Sequence, residues 1–210
     1  MNISSFTHLF TLLLCCSFVW LMAACSGEVE PDQMIDDNDD DTEQTDSTAV
    51  SDDVIVIEPF AMGDSVVVSG DVADGRQLDD LAWAARSSVA CFPGTRAIEF
   101  EGNQVFYAVT IPQGSELTVT VTPTSERARI NVYGYIQFDG DNTPPIESCI
   151  SCEAGYELYV GTPDLTQPGE PQSISFAQAV NRSFTAFVAV SGARDVLTGS
   201  YDLSFRLDPM

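Results

Sequence analysis

The chain has 210 residues, enough for one domain with additional segments but not for two full domains. It carries 32 acidic and 8 basic residues, a formal net charge of −24; every basic residue is Arg, and the one His is His8. That balance excludes nucleic acid as a partner, because phosphate binding draws on a basic surface and on counterion release, and it disfavours anionic lipid headgroups.

Leu9 to Ala24 is almost wholly apolar and shorter than a comfortable membrane span of about 20 residues. It ends in Ala23, Ala24 and Cys25 and turns abruptly polar, the pattern of a cleaved export signal over residues 1–24. The run Leu21-Met22-Ala23-Ala24-Cys25 resembles the bacterial lipobox. The resemblance implies cleavage before Cys25 and attachment of a lipid to its thiol. Cys15 and Cys16 are then filler inside the signal.

Residues 25–53 read as a disordered acidic tether. From Ser26 to Asp64 there are 14 acids and no base, and through Ser51 the apolar residues are few and aperiodic. Like charges repel, and little surface is available to bury. A flexible coil of this length spans about 30–35 Å, which suits a stalk holding a domain off a lipid surface. The run Asp36-Asp37-Asn38-Asp39-Asp40-Asp41 lacks the central Gly of an EF-hand calcium loop, so calcium is not expected there.

From Val54 to Met210 the pattern becomes that of a folded domain. Val54–Ile57 and Ser65–Val68 are β-branched runs. Gln77–Arg86 is the one helical candidate, with Leu78, Leu81, Ala82 and Ala85 at helical spacing. Strands follow at Thr95–Glu101, Gln104–Ile111, Leu117–Thr122, Ile130–Ile136, Tyr156–Val160, Gln172–Phe176, Phe184–Val190 and Ser200–Leu207, separated by Gly, Pro and Asn. The expected fold is all-β: an antiparallel, jelly-roll-like β-sandwich of about eight strands, with one short helix before it.

Val105-Phe106-Tyr107-Ala108-Val109-Thr110-Ile111-Pro112-Gln113-Gly114-Ser115-Glu116-Leu117-Thr118-Val119-Thr120-Val121 resembles the core of bacterial pre-peptidase C-terminal domains. Ala189-Val190-Ser191-Gly192 and Gly199-Ser200-Tyr201-Asp202-Leu203 are similar to that family's closing hairpin, and the likeness covers about Cys91 to Leu207. It implies a jelly-roll accessory module of the kind attached to secreted peptidases, serving secretion, targeting or substrate attachment, with relatives that bind collagen or calcium. This chain departs from the pattern in having no peptidase domain and in adding Cys91 and Cys149-Ile150-Ser151-Cys152.

Once the signal is removed the chain has neither His nor Lys. Ser-His-Asp and Cys-His catalysis lose their base, Schiff-base and P-loop chemistry lose their Lys, and zinc loses its commonest ligands. Glu99, Glu101, Glu147, Glu153, Glu157 and Asp202 are glycosidase candidates by residue type alone, and solvated strand ends and turns are the simpler reading. Asp139, Asp141 and Asn142 around Gly140 are calcium candidates, although Asp, Gly and Asn are also ordinary turn residues. Cys91, Cys149 and Cys152 are disulfide candidates in an oxidising compartment, with three pairings open. A bridge from Cys91 closes the longer loop and is favoured on that ground over Cys149–Cys152. Trp83 is expected to pack the helix against the sandwich, while Tyr133, Tyr135, Tyr156 and Tyr159 fit either core or surface.

The expected protein is a non-catalytic lipoprotein of the bacterial cell envelope, placed on the outer membrane through a lipid at Cys25. It presents a binding, adhesion or accessory module to a protein or glycan partner and needs no cofactor. The alternative is a carboxylate-dependent glycan-acting enzyme or a calcium-dependent carbohydrate-binding module.

Overall fold

Alternating apolar residues from Val54 onward build two sheets. The computed structural model describes residues 52–124, 129–137, 143–156, 169–179 and 181–210. All belong to the unit Asp46–Met210. Cys25, the tether through Ser51, Asp139, Asp141, Asn142, Glu157 and Tyr159 lie outside the described residues.

The strands are Val54–Val56 (β1), Ser65–Asp71 (β2), Gln104–Ile111 (β3), Ser115–Pro123 (β4), Ile130–Ile136 (β5), Ser151–Gly155 (β6), Gln172–Ala179 (β7), Phe184–Gly192 (β8) and Ser200–Pro209 (β9). They form a five-stranded sheet in the order β1-β3-β8-β5-β6 and a four-stranded sheet in the order β2-β9-β4-β7. β1 joins β3 in parallel, and the other pairings are antiparallel. The pairs β2–β9, β3–β8, β4–β7 and β5–β6 are nested, as when one long hairpin is rolled up. That nesting makes the all-β sandwich a jelly roll.

Period-2 alternation fills the space between the sheets. Val105, Tyr107, Val109 and Ile111 of β3 face Leu117, Val119 and Val121 of β4 and Tyr201, Leu203, Phe205 and Leu207 of β9 in one buried cluster. Each such side chain contributes about 1.5–3 kcal/mol when fully buried. The phenol oxygens of Tyr107 and Tyr201 meet across the core at 2.8 Å. Burial, followed by the hydrogen bond to Tyr107, holds Tyr201 well above the ordinary phenol range. Gly114, at φ +74, closes the β3–β4 turn in the left-handed region that favours glycine.

The two sheets differ on their outer faces. β4 and β9 alternate buried and half-exposed residues, leaving Thr118, Thr120 and Thr122 facing outward. β3, β5 and β8 are buried on both faces over most of their length. Residues 72–103, here the cap, cover the outer face of the five-stranded sheet. Leu81, Trp83, Val89, Phe92 and Phe100 of the cap pack on Phe106, Tyr133, Tyr135 and Phe187. Trp83 thus packs onto the sandwich as expected, 5.9 Å from Tyr133 between ring centroids, and Tyr133 and Tyr135 are core residues.

The cap departs from two expectations. The helix expected over Gln77–Arg86 contracts to one 3-10 turn, Ala82–Ala85. The Ala84 carbonyl accepts the N–H groups of Cys91 and Phe92, so it is taken by the returning chain rather than by a next helical turn. The strand expected at Thr95–Glu101 is also wrong: Gly94–Glu99 is a 3-10 helix that carries Glu99 inward. Beyond Tyr156 the strand expected at Tyr156–Val160 lies outside the described residues; just before it, Ser151–Gly155 forms β6, paired with β5.

Candidate binding site

The cap is held to the sheet by buried polar groups. Arg129 donates from Nη2 to Oε2 of Glu99 at 2.6 Å, with both side chains essentially inaccessible to solvent. Asn131 Nδ2 donates to the Glu99 carbonyl at 2.7 Å. Gln104 Nε2 and Ser191 Oγ both donate to the Phe100 carbonyl, and Tyr133 OH donates to Gln104 Oε1 at 2.6 Å. A buried charge persists only when paired and hydrogen-bonded, so this network fixes where the cap sits. A disulfide, Cys91–Cys152, ties the cap to β6 with Cα atoms 4.8 Å apart. It is the long bridge from Cys91, and Cys149 is a free thiol.

Two clefts open along the cap's edge. Ahead of the first, at the end of β2, Asp71 accepts N–H groups from Gly199 and Ala73, which hold its carboxyl below the usual carboxylate range. The chain then crosses β3 so closely that a Cβ on Gly75 would fall 2.0 Å from the Gln104 carbonyl oxygen. That crossing sets the Arg76 guanidinium 6.0 Å from the Phe106 ring centroid and 3.4 Å from Asp53. The resulting cleft, about 370 Å³, is bounded by Asp52, Asp53, Asp74, Arg76 and Phe106 among others. Gln77 Nε2 donates to the Glu101 carbonyl at 2.9 Å, and beyond it lies the second cleft. This one, about 400 Å³, is lined by Leu78, Asp79, Asp80, Ala97 and Glu101 among others. Glu101 on its rim is paired with Arg194.

The candidate carboxylates are dispersed. Glu99 is inside and neutralised by Arg129; Glu101 is on the second cleft; Glu147 and Glu153 are exposed; and Asp202 lies on the outer face of the other sheet, where it accepts from Ser69 at 2.7 Å. Among the described residues, no group of three or more His, Cys, Asp and Glu is placed to hold a metal ion.

The chain matches no protein-family model and no curated protein. Among solved structures it is similar to Aeromonas hydrophila PliG, a periplasmic lysozyme inhibitor of g-type lysozyme, at 10% sequence identity and a TM-score of 0.37, over 74% of this chain and 96% of that one. So loose a superposition transfers no residue or role.

Neither cleft was visible to sequence reasoning. Asp79 and Asp80 were expected in the first turns of a helix, and they line a cleft because that helix does not form. One signal was available: Val105-Phe106-Tyr107-Ala108-Val109 is apolar without interruption, as expected of a strand covered on both faces.

Proposed function

We propose that this chain is a non-catalytic, extracytoplasmic accessory module. It is held at the bacterial envelope by a lipid on Cys25, and it engages a partner bearing cationic groups through the two clefts at the cap's edge. The observation that carries this reading is the pair of clefts, rimmed by Asp52, Asp53, Asp74, Asp79, Asp80 and Glu101, on a cap fixed by a buried ion pair and a disulfide. Arg76 offsets part of the charge of the first cleft and Arg194 pairs with Glu101, so the net acidic surplus lies on Asp52, Asp74, Asp79 and Asp80; a fixed surface with such a surplus steers oppositely charged partners and speeds encounter. The disulfide supports an oxidising compartment. The resemblance to pre-peptidase C-terminal domains supports an accessory role in secretion, targeting or attachment. Glu99, the one buried carboxylate among the glycosidase candidates described, is committed to Arg129, and this supports a role in packing rather than proton transfer.

The test is capture of envelope proteins by the full chain and by the variant Asp79→Asn with Asp80→Asn and Glu101→Gln. The wild type retains a partner that is released by raised salt, which screens exposed charges; the variant loses it. Equal capture by both, or a captured partner indifferent to salt, rejects the reading. Cys25→Ala, run alongside, moves the protein from the membrane to the soluble fraction.

A further inference from the structure

A disulfide and a free thiol both lie where residues 86–91 of the cap run alongside residues 146–152. The two stretches advance in the same direction, and their contacts advance with them. Arg86 donates to the Ile146 carbonyl, and Ser88 Oγ donates to the Glu147 carbonyl at 2.8 Å. The Cys149 N–H donates to the Ser88 carbonyl at 3.3 Å, and Cys149 Sγ donates to the Val89 carbonyl at 3.6 Å. The next contact along is the Cys91–Cys152 bond itself. All three cysteines pack against the same cluster of Trp83, Tyr133 and Tyr135.

We propose that Cys149 is an exchange thiol that moves the cap's disulfide from Cys91–Cys152 to Cys91–Cys149. The Cys149 thiol gives its proton to water, and the thiolate attacks Sγ of Cys91. The Cys91–Cys149 bond forms as the Cys91–Cys152 bond breaks, and Cys152 leaves as a thiolate that takes a proton from water. One disulfide and one thiol stand on each side, so no oxidant or reductant is consumed. The alternative attack, on Sγ of Cys152, would exchange a long closed loop for one of four residues and forfeit most of the loop-closure constraint. Attack on Cys91 keeps a loop of nearly the same length, and the constraint depends only on the logarithm of that length. The balance between the two forms is therefore left to local contacts. The exchange keeps the cap covalently held but frees β6, the edge strand of the five-stranded sheet, from its covalent tie.

Burial raises the Cys149 thiol above its ordinary value, so little thiolate is present at neutral pH and exchange quickens as pH rises. Titratable groups on the elements packed about it include Arg86, Glu147 and Glu153, with Tyr133 and Tyr135 on β5 held un-ionised first by their own burial and, for Tyr135, next by Asp53.

The experiment incubates the full chain at neutral and at alkaline pH, quenches with acid, labels free thiols and maps the label by mass spectrometry. Among Cys91, Cys149 and Cys152, label starts on Cys149 and grows on Cys152 with time at alkaline pH, at a rate independent of protein concentration. Among those three, label confined to Cys149 throughout, or transfer that scales with concentration, overturns the proposal. Cys149→Ser abolishes the transfer; label still reaching Cys152 in that variant also overturns it. Cys152→Ser yields a chain with a Cys91–Cys149 bridge and neither of those two thiols free, whereas Cys91 and Cys149 both free in a β-rich variant refute the proposal. Should that variant fail to fold, the time course in the wild-type chain decides alone.

Discussion

Replacing Glu99 with Gln separates a packing role from a catalytic one. The Glu99 and Arg129 side chains are 0% and 1% exposed and 2.6 Å apart. Glu99→Gln keeps the shape but removes the carboxylate that faces the buried guanidinium. Breaking a buried pair from one side costs about 3–5 kcal/mol. For a domain of this size each kcal/mol moves Tm by about 2–4 °C, so the expected fall is about 6–20 °C. With a urea m-value near 2 kcal/mol/M, the midpoint drops by about 1.5–2.5 M. Glu101→Gln is the control. Glu101 also pairs with an arginine, but Glu101 is 35% exposed and its partner Arg194 51%. Solvent screening keeps that loss small by comparison. The double replacement Glu99→Leu with Arg129→Met recovers most of the stability lost in Glu99→Gln, because it removes both charges together. Thermal and urea unfolding of the four proteins measure all of this. Equal losses in Glu99→Gln and Glu101→Gln would refute the claim that the interior pair anchors the cap.

Three further outcomes follow from the cap and the end of β2 that leads into it. Cys91→Ser opens a loop whose ends are 61 residues apart and costs about 4 kcal/mol on the chain-entropy account, read from urea unfolding; a loss below about 1 kcal/mol would show that noncovalent contacts alone hold the cap. Gly75→Ala drives a Cβ into the backbone of Gln104 and costs about 1–3 kcal/mol; a neutral effect on Tm would contradict the close crossing. Asp71 has a lowered pKa in the fold, caused first by the Gly199 N–H and then by that of Ala73. Its contribution is present above the unfolded value and is lost as pH falls through the folded one. Asp71→Asn therefore flattens the decline in stability below about pH 4, and an unchanged acid limb would refute that assignment.

Strands were legible where one face is buried and the other is wet. Leu117-Thr118-Val119-Thr120-Val121 alternates by residue type because β4 lies between the core and solvent. β6 was not legible. Ser151-Cys152-Glu153-Ala154-Gly155 has no β-branched residue, and it is a strand because β5 pairs with it and Cys91 is bonded to it. The helical spacing of Leu78, Leu81 and Ala85 was real, but residues 91 and 92 took the hydrogen bonds that would have extended the turn. Thr95–Glu101 fails as a strand for a related reason, since the ion pair draws Glu99 inward from a 3-10 helix. Glu99 and Arg129 stand 30 positions apart with no local signal joining them. The Cys91 bridge could be favoured from loop length alone, but the choice of Cys152 over Cys149 depends on how residues 86–91 lie against 146–152.

The most direct test of the account is crosslinking in intact cells. A photoreactive side chain is placed at Ala82 on the second cleft or, separately, at Thr120 on the outer face of the four-stranded sheet. An accessory module that binds through the cap's edge gives a discrete partner adduct from Ala82, one that disappears when Asp79, Asp80 and Glu101 are neutralised, and none from Thr120. An adduct from Thr120 with none from Ala82 would place binding on the opposite face and contradict the account.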